Sequence, residues 1–421
     1  MRKQYKIFTV KGIVEREYNH IPVRYIVAVL CAILEIAAII GAVLLLCHYV
    51  HAFYVICIAM SVLCIVRIIA SDDNPDYKIP WLICVITLPI AGAMLYLMFY
   101  SRKLKPRFIK RIRAVQKYKY EQDDSAALGD LLHDDAMAAS QAKMLAEISY
   151  SHIFTNTATR YFPSGREMRD ALINDLESAA SFIFLDFFII EEGVFWGSVL
   201  DVLKRKVNEG VDVRVIYDDL GCMFTLPGNY NRILEKHGIK TVIFSKLRGS
   251  AGREFNNRSH RKIAVIDGKI GYTGGINIAD EYIGERMLFG HWKDTAIRLE
   301  GEAVRELTWL FVSSFGINSK ELPPFPDGVY PSLSPMPDNG YLIPFGDGPR
   351  PIYNYNVAKS AIQNLLGCAT DYVYMTTPYL IIDNDLCADI ERTALRGVDV
   401  RIVTPHVPDK RIVFAMTHHG S

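Results

Sequence analysis

A short segment of this 421-residue chain occurs twice, and it restricts the fold more than any other feature of the sequence. "GVDVRVIYD" begins at Gly210 and "GVDVRIVTP" begins at Gly397, so the two copies lie 187 residues apart. Each copy follows a helix-like segment, and that segment follows an apolar run, "SFIFLDFFII" in the first case and "DYVYMTTPYLII" in the second. A recurrence of sequence within the same order of elements is typical of internal duplication. We therefore predict two homologous α/β halves.

The element order within each half favours a layered α/β structure. Apolar, strand-like runs alternate with amphipathic helical segments from about residue 160, which predicts a largely parallel sheet covered by helices. A proline-rich stretch, "ELPPFPDGVYPSLSPMPDNG", separates the two copies and is typical of a linker. We assign the first half to residues 161–320, the linker to 321–340 and the start of the second half to 341–421.

Apolar residues are concentrated before residue 101. Three runs, about 25–47, 51–70 and 79–100, each approach the roughly 20 residues that a membrane-spanning helix needs. We therefore predict a membrane domain over residues 1–100 with two or three transmembrane helices. A cleaved signal peptide is the competing interpretation, and the succession of three long runs argues against it.

The charges around these runs predict the topology. Residues 101–120 contain nine Lys and Arg and no acidic residue, so the positive-inside rule places the following chain in the cytoplasm. The N-terminus is also basic, and with three spans both ends cannot be inside. Residues 101–160 form a basic, helical connector. Its segment "RFIKRIRAVQKYKY" is either a solvated helix or, as its position beside a span favours, a helix on an anionic membrane surface.

Overall charge and cysteine usage exclude little. The formal net charge is +1, which indicates nothing about partners. The eight cysteines include no C-x-x-C pair, so neither a zinc site nor a disulfide framework is predicted.

One short stretch combines side chains suited to phosphate chemistry. In "SHRKIAVIDGKIGYTGGIN", His260 and Lys262 are two apart, so on a strand they project from the same face. Asp267 follows five residues later at a turn, and Gly275 and Asn277 follow at a second turn. Imidazole can attack phosphorus or protonate an alkoxide, ammonium can bind phosphate oxygens, and amides can stabilise the charge that develops on phosphorus.

No acidic cluster suited to magnesium accompanies these residues. We therefore predict phosphoryl transfer without a metal and without a cofactor. The alternative is an exposed strand end decorated with a surface histidine and lysine. H-x-K alone would favour that alternative, whereas the additional Asp, the G-G-x-N turn and the duplication favour a site.

The pattern H-x-K-x4-D followed by G-G-x-N resembles the signature of the phospholipase D superfamily. Within that superfamily the chain is similar to bacterial cardiolipin synthases, through "YKIPWLICVITLPIAGAMLYLMFYSRK", "HWKDTAIRLEGEAVRELTWLFVSSF" and "TTPYLIID". The resemblance implies an α/β phospholipase D-like fold of two homologous halves, the second incomplete, preceded by N-terminal transmembrane helices.

The resemblance also implies an activity. One histidine attacks the phosphate of phosphatidylglycerol, forms a phosphatidyl-histidine and releases glycerol, and a second phosphatidylglycerol then accepts the phosphatidyl group. The expected partners are phospholipid and membrane, not nucleic acid. A hydrolase that uses water as acceptor and a nuclease are the enzymatic alternatives, and a non-enzymatic membrane scaffold is the alternative from another class.

The family's residue roles transfer to six positions. His260, Lys262 and Asp267 are the catalytic candidates, although Asp267 can equally serve to fix its turn. Asn277, Gly275 and Asp294 are the substrate-binding candidates. In the family an acid at the position of Asp294 orients the histidine, whereas here it can also simply begin the next strand. The acids at 191–192 and at 218–219 each lie at the end of a predicted strand. We expect the first pair to lie in a solvated loop rather than at the site. For the second pair, both positions remain open.

The second histidine motif of the family is missing. Equal spacing of the halves would place it near position 447, which is 187 residues after His260, whereas the sequence given has 421 residues. A truncated chain is the favoured explanation. Pairing with a second chain, such as another copy in a homo-oligomer, is the next, and an inactive remnant is the third.

Overall fold

The structure is a computed structural model, and it describes most of the chain. The described residues are 4–9, 12–17, 23–45, 50–71, 75–100, 106–246, 258–288, 290–319, 325–334, 336, 340–348 and 352–406. They form two compact units, one of Met1–Tyr5, Glu15–Lys103 and Ser245–Arg258 and the other of Lys6–Val14, Leu104–Phe244 and Ser259–Ser421.

The N-terminal part is mainly helical. Two short strands, β1 and β2, precede four apolar helices. Their bounds are Gln4–Thr9 (β1), Gly12–Glu17 (β2), Val23–Leu45 (α1), Val50–Ile69 (α2), Pro75–Thr87 (α3) and Pro89–Phe99 (α4). Within the described residues, no helix combines the length and the apolar character needed to cross a bilayer. The spans predicted at 25–47, 51–70 and 79–100 are therefore not confirmed.

The predicted third span is not one continuous helix. It consists of α3 and α4, which meet at Leu88, and Pro89 occupies the first turn of α4. Proline lacks a backbone N–H and its ring is tolerated at the start of a helix, so it favours a break at this point. The two helices and α2 share a small core that includes Ile68, Val85 and Tyr96.

The second unit contains the remaining elements. A helical connector leads into the first half, and the second half begins after the linker. The connector helices are Pro106–Val115 (α5), Ser125–Asp134 (α6) and Ala136–Ser149 (α7). The first half has Thr157–Phe162 (β3), Gly165–Glu177 (α8), Phe182–Phe187 (β4), Val194–Asn208 (α9), Asp212–Asp218 (β5), Tyr230–Lys236 (α10), Lys240–Phe244 (β6), Lys262–Ile266 (β7), Ile270–Gly274 (β8), Ala296–Gly301 (β9) and Val304–Asn318 (α11). The second half has Val357–Cys368 (α12), Tyr372–Thr376 (β10), Asn384–Leu395 (α13) and Asp399–Val403 (β11).

The first half is built on a seven-stranded sheet in the order β3-β9-β8-β7-β4-β5-β6. Only β4–β5 and β5–β6 are parallel, and the pairs β3–β9, β9–β8, β8–β7 and β7–β4 are antiparallel. The prediction of a largely parallel sheet is therefore wrong. Parallel neighbours need a long crossover, whereas the three residues between β7 and β8 allow only an antiparallel hairpin.

Helices cover both faces of this sheet. Helices α8, α9 and α10 pack on the face that carries Leu185, Val215 and Ala264. Helix α11 packs on the face that carries Phe184 and Val265. The burial of strands β4 and β7 on both sides explains why their sequences read as continuous apolar runs.

The basic connector helix α5 also packs on the α11 side of the sheet. Its Phe108, Ile112 and Val115 join the same apolar cluster, and the Arg111 guanidinium donates to the carbonyl of Ile317 over 3.2 Å. The apolar side of α5 is therefore buried against protein. The expectation that this helix lies on a membrane needs correction on that point, because only its basic side remains for lipid.

The duplicated segments adopt the same local structure. Gly210 and Gly397 each follow a helix and take left-handed backbone angles, with φ of 91° and 90°. Glycine adopts these angles without the penalty that a side chain would bring. Both copies then form a strand parallel to the preceding one, β4–β5 and β10–β11. The predicted boundaries between the halves and the linker remain predictions. Within 321–340 the structure describes residues 325–334, 336 and 340.

Candidate active site

His260 and Lys262 come together at one end of strand β7. The Nζ of Lys262 lies 3.1 Å from Nδ1 of His260 and donates to the carbonyl of His260 over 2.7 Å. The imidazole is exposed, whereas the lysine side chain is buried. The ring centroids of Phe188 and His260 lie 4.8 Å apart, and Lys262 Nζ lies 5.5 Å from the centroid of the Phe188 ring. The pair thus has one buried cation behind one accessible imidazole.

The sheet topology puts this pair at a favourable edge. Because β7 runs antiparallel to β4, its first residue, Lys262, sits opposite Phe187, the last residue of β4. The carboxyl ends of β4 and β5 and the amino end of β7 therefore share one edge of the sheet. Loops that follow β4, β5 and β8 converge there, which is where binding residues in such folds are held by a rigid scaffold.

Burial sets the protonation of the lysine. It lowers the pKa of Lys262 to about 8, while the carboxylates of Asp294 and Asp186 act in the opposite direction. Burial likewise raises the pKa of Asp294, against a backbone hydrogen bond from Thr295 and the charge of Lys262. The charges of Lys262 and Asp294 therefore favour each other's charged form, against the effect of burial.

Gly275 makes room for Asp294. A Cβ on Gly275 would overlap the Oδ1 of Asp294, so the carboxylate lies directly on the glycine backbone. Gly275 also donates its N–H to the carbonyl of Thr295 over 3.0 Å, which holds the turn after β8 against the start of β9. The structure therefore brings Gly275 and Asp294 together with Lys262.

Asn277 is placed behind the site rather than open to it. The side chain is buried; its Oδ1 accepts from Ile189 N over 3.0 Å and its Nδ2 donates to the Tyr282 hydroxyl over 2.7 Å. These bonds tie the turn after β8 to the end of β4.

Asp267 lies at the other end of β7 from the His260–Lys262 pair. Its carboxylate accepts three main-chain N–H groups, from Ala180, Ser181 and Phe182, each over 2.8 Å. Its own φ is 52°, a left-handed angle that Asp tolerates better than most residues. The structure therefore gives Asp267 the turn-fixing position and does not bring it to the imidazole.

Sequence reasoning missed a buried aspartate on the other face of the sheet. Asp186 is fully buried in β4; Ser259 lies 3.5 Å from its Oδ1, and its Oδ2 has no hydrogen-bond partner. Burial raises the pKa of Asp186 to about 6, with Arg261, Ser259 and Lys262 lowering it and Asp218 raising it further. The sequence did contain a sign of this residue, since Asp186 is the one acidic residue within the apolar run "SFIFLDFFII" and buried acids are rare.

The acids at the ends of β4 and β5 are also more structural than expected. Glu191 is largely buried and accepts both Nη groups of Arg286, over 2.6 and 2.5 Å, so its assignment to a solvated loop is wrong. Asp218 is buried and accepts the N–H of Ser259 over 3.1 Å, which fixes the residue just before His260. Asp219 is buried as well.

These residues together form a site suited to attack on phosphorus. An accessible imidazole has the chemistry of a nucleophile, and a buried ammonium beside it has the chemistry to hold phosphate oxygens. In the part of the chain that the structure describes, no three His, Cys, Asp or Glu side chains are grouped to hold a metal ion.

Family models match two parts of the chain. Residues 172–287 match the family "Cardiolipin synthase, PLD-like domain", and this match includes the His260 strand. Residues 59–99 match the family "Phospholipase D-nuclease N-terminal". The first match confirms the phospholipase D-like fold that the resemblance implied.

Individual relatives align over most of the chain. An uncharacterized protein of Streptococcus mutans is 38% identical over 343 residues, which cover 80% of this chain and 73% of the relative. A cardiolipin synthase of Halalkalibacterium halodurans is 30% identical over 369 residues, covering 87% of this chain and 73% of the relative. Among solved structures, phosphatidylserine synthase from Haemophilus influenzae aligns with 12% identity and a TM-score of 0.44, over 63% of this chain and 66% of that one.

The match around the His260 strand and the alignment over 87% of the chain agree with each other. The chain therefore belongs to the cardiolipin synthase family of the phospholipase D superfamily.

Proposed function

We propose that this chain is a cardiolipin synthase that joins two phosphatidylglycerol molecules and releases glycerol. The observation that carries the proposal is the accessible imidazole of His260 with the buried Lys262 ammonium 3.1 Å away, at an edge of the sheet. Family membership supports the substrate, since relatives that align over most of the chain are cardiolipin synthases.

In the first step, Nε2 of His260 forms a bond to phosphorus of the donor lipid. The bond between phosphorus and the glycerol headgroup oxygen breaks, and the glycerol alkoxide takes a proton from a general acid. Before this attack, phosphate oxygens replace Nδ1 of His260 as the partner of the Lys262 ammonium, and solvent exchange moves the imidazole proton from Nε2 to Nδ1, which leaves the lone pair of Nε2 free.

In the second step, a headgroup hydroxyl of another phosphatidylglycerol attacks the same phosphorus. The base that protonated glycerol takes the hydroxyl proton, the N–P bond breaks and His260 returns to its starting state. Two phosphatidylglycerols thereby yield one cardiolipin and one glycerol, without a cofactor.

The general acid and base is a second imidazole in this proposal. The sequence contains one H-x-K-x4-D motif. We propose that the second motif comes from a longer form of the chain or, alternatively, from a second copy in a homo-oligomer.

Membrane attachment through the N-terminal helices is part of the proposal. Large apolar side chains are exposed along α1 and α2, among them Ile33, Leu34, Val55 and Leu63. Exposed apolar surface of this extent favours a lipid environment. The basic stretch 101–120 supports a cytoplasmic catalytic part at the bacterial cell membrane.

The test uses the full chain reconstituted with phosphatidylglycerol labelled in its acyl chains, alone and with a chain that carries a second motif. We expect labelled cardiolipin and free glycerol, and an acid-labile labelled protein, isolated at neutral pH, that His260→Ala eliminates. Labelled phosphatidic acid without cardiolipin would instead identify water as the acceptor. Absence of all lipid turnover in both mixtures would overturn the proposal.

A further inference from the structure

Few large apolar side chains are exposed between residues 150 and 319, and most of these lie in loops beside the site. Among the described residues of 150–319, five such side chains are exposed. Two of them, Tyr150 and Tyr161, are scattered. The other three lie in two loops, with Phe224 at 66%, Met287 at 80% and Leu288 at 44% exposure. Exposed apolar residues that cluster in this way mark interaction sites more often than scattered ones do.

Both loops are attached to the segment that flanks the nucleophile. The first, residues 220–228, follows β5, and its Thr225 hydroxyl donates to the carbonyl of Ile190 over 2.7 Å. The second, residues 284–288 and 290–293, follows the turn after β8, and its Arg286 binds Glu191. The same segment supplies Phe188, whose ring packs against His260. We call these two loops the rim loops.

The composition of the rim loops suits the surface of an anionic bilayer. The first loop has no acidic residue between Gly221 and Gly228. In the second, the Arg286 charge is taken up by Glu191 and Glu281, so the basic side chains left to face lipid are His291 and Lys293. Glu285 is itself paired with Arg166 over 3.0 Å. Trp292, half-buried against Tyr282, adds an indole, a side chain enriched at membrane–water interfaces.

We propose that the rim loops dock the site onto the bilayer, with Phe224, Met287 and Leu288 inserted among the lipids beside the donor. This inference rests on the proposed function, because a phospholipid headgroup can reach His260 without leaving the bilayer only if this edge of the sheet meets the membrane. Apolar side chains on the rim lower the free energy of that contact, and cationic ones attract an anionic surface.

Insertion can be measured without relying on activity. Phe224→Trp and Met287→Trp are made separately in the full chain and reconstituted with phosphatidylglycerol brominated on its acyl chains. Tyr161→Trp, on the edge strand β3 and also exposed, is the matched control. The quenching by the native tryptophans is subtracted in each case. We expect the remaining quenching to be at least twofold greater for the tryptophans at 224 and 287 than for the one at 161. Equal quenching at all three positions, as when another protein segment covers the rim, would overturn the proposal.

A kinetic comparison separates docking from chemistry. The double variant Phe224→Ser/Met287→Ser is compared with Tyr161→Ser/Leu395→Ser, whose side chains are equally exposed but lie off the rim. We expect the rim variant to lose at least fivefold in turnover of bilayer phosphatidylglycerol and to stay within twofold of wild type on a short-chain, water-soluble form. An equal loss on both substrates would overturn the docking role. If the wild type made no cardiolipin, the proposed function would fail, while the quenching measurement would still decide whether the rim inserts.

Discussion

The two copies of the strand–helix–strand repeat differ in what lies beside them. In the first, β4 is buried on both faces and lies between its parallel partner β5 and the antiparallel strand β7. In the second, β10 and β11 pair only with each other within the described residues, and alternate side chains on both are exposed. The repeated scaffold is the same, including the left-handed glycine before the second strand.

This difference shows where the chemistry comes from. The repeat itself contributes β4 and β5, which carry Asp186 and Asp218 but not the nucleophile. His260, the proposed nucleophile, directly precedes β7, which is added antiparallel to the repeat. Duplication of the scaffold alone therefore does not duplicate the site, and the following changes test that division from the largest expected effect to the smallest.

Replacement of the nucleophile should have the largest effect. We expect His260→Ala to lower lipid turnover by roughly 10⁴-fold or more, because no other step can form the covalent intermediate. The control in the second half is His406→Ala, at an exposed histidine beyond β11, and it should leave turnover within twofold. Cardiolipin formation in reconstituted membranes measures both, and a comparable loss in the two variants would contradict the comparison.

Asp267 should matter more for stability than any single cap in the second half. Asp267→Ala removes the acceptor for three main-chain N–H groups at the start of β4, and we expect it to lower the free energy of unfolding by about 3 kcal/mol. Asp383→Ala removes the acceptor for one main-chain N–H, that of Leu386 at the start of α13, and a partly exposed ion pair with Lys359, and it should cost about 1 kcal/mol.

Thermal unfolding in detergent, followed by circular dichroism, ranks these variants. Asp267→Asn, which keeps one carbonyl oxygen, should fall between Asp267→Ala and wild type. If Asp267→Ala unfolded like wild type yet lost all turnover, Asp267 would act on substrate and not on the turn.

Gly275 and Gly367 offer a matched pair of glycine substitutions. Gly275→Ala would drive the Asp294 carboxylate away from Lys262, and we therefore expect about a tenfold loss of turnover. Because the Asp294 side chain can rotate away from the new methyl group, we expect little loss of stability. Gly367→Ala, in helix α12 with open space around its Cα, should leave turnover unchanged and raise stability by up to about 1 kcal/mol. Steady-state kinetics and thermal unfolding measure the two effects, and the reverse ranking would contradict the packing described.

The smallest effect concerns pH. The pKa of Lys262 is lowered to about 8 in the folded chain, so the side chain is charged below that pH and neutral above it. Since phosphate binding needs the charge, KM for phosphatidylglycerol should rise several-fold between pH 7 and pH 9, while Lys262→Arg should remove this dependence at reduced turnover. A KM that is flat with pH in the wild type would show that the lysine does not hold the phosphate.

The motif and the duplication could be predicted from the sequence because each is recognised within a short segment of chain. Residues two apart on a strand share a face, so the proximity of His260 and Lys262 required no knowledge of the rest of the fold. The antiparallel placement of β7 was not accessible in the same way, because it depends on which strands pair across some eighty residues of chain, from Phe182 to Ile266.

Residues whose environment depends on tertiary pairing were the ones that sequence reasoning misjudged. Glu191 follows a strand and looked solvated, yet Arg286, 95 residues later, neutralises it in a largely buried pair. Asp186 looked like part of an apolar strand, and only the convergence of Ser259, Asp218 and Arg261 gives it a polar surrounding. In both cases the interacting residues lie on another element, so the sequence around the acid does not predict them.

The pairing of β3 with β9 has a consequence for synthesis on the ribosome. Thr157, at the beginning of the first half, aligns with Gly301, at its end, so the sheet closes when β9 becomes available. Domains generally fold as units during synthesis, with the N-terminal one first. The strand that carries His260 can therefore reach its final position before the second copy of the repeat has left the ribosome, and the nascent chain would bring a finished first half to the membrane while the rest is still being translated.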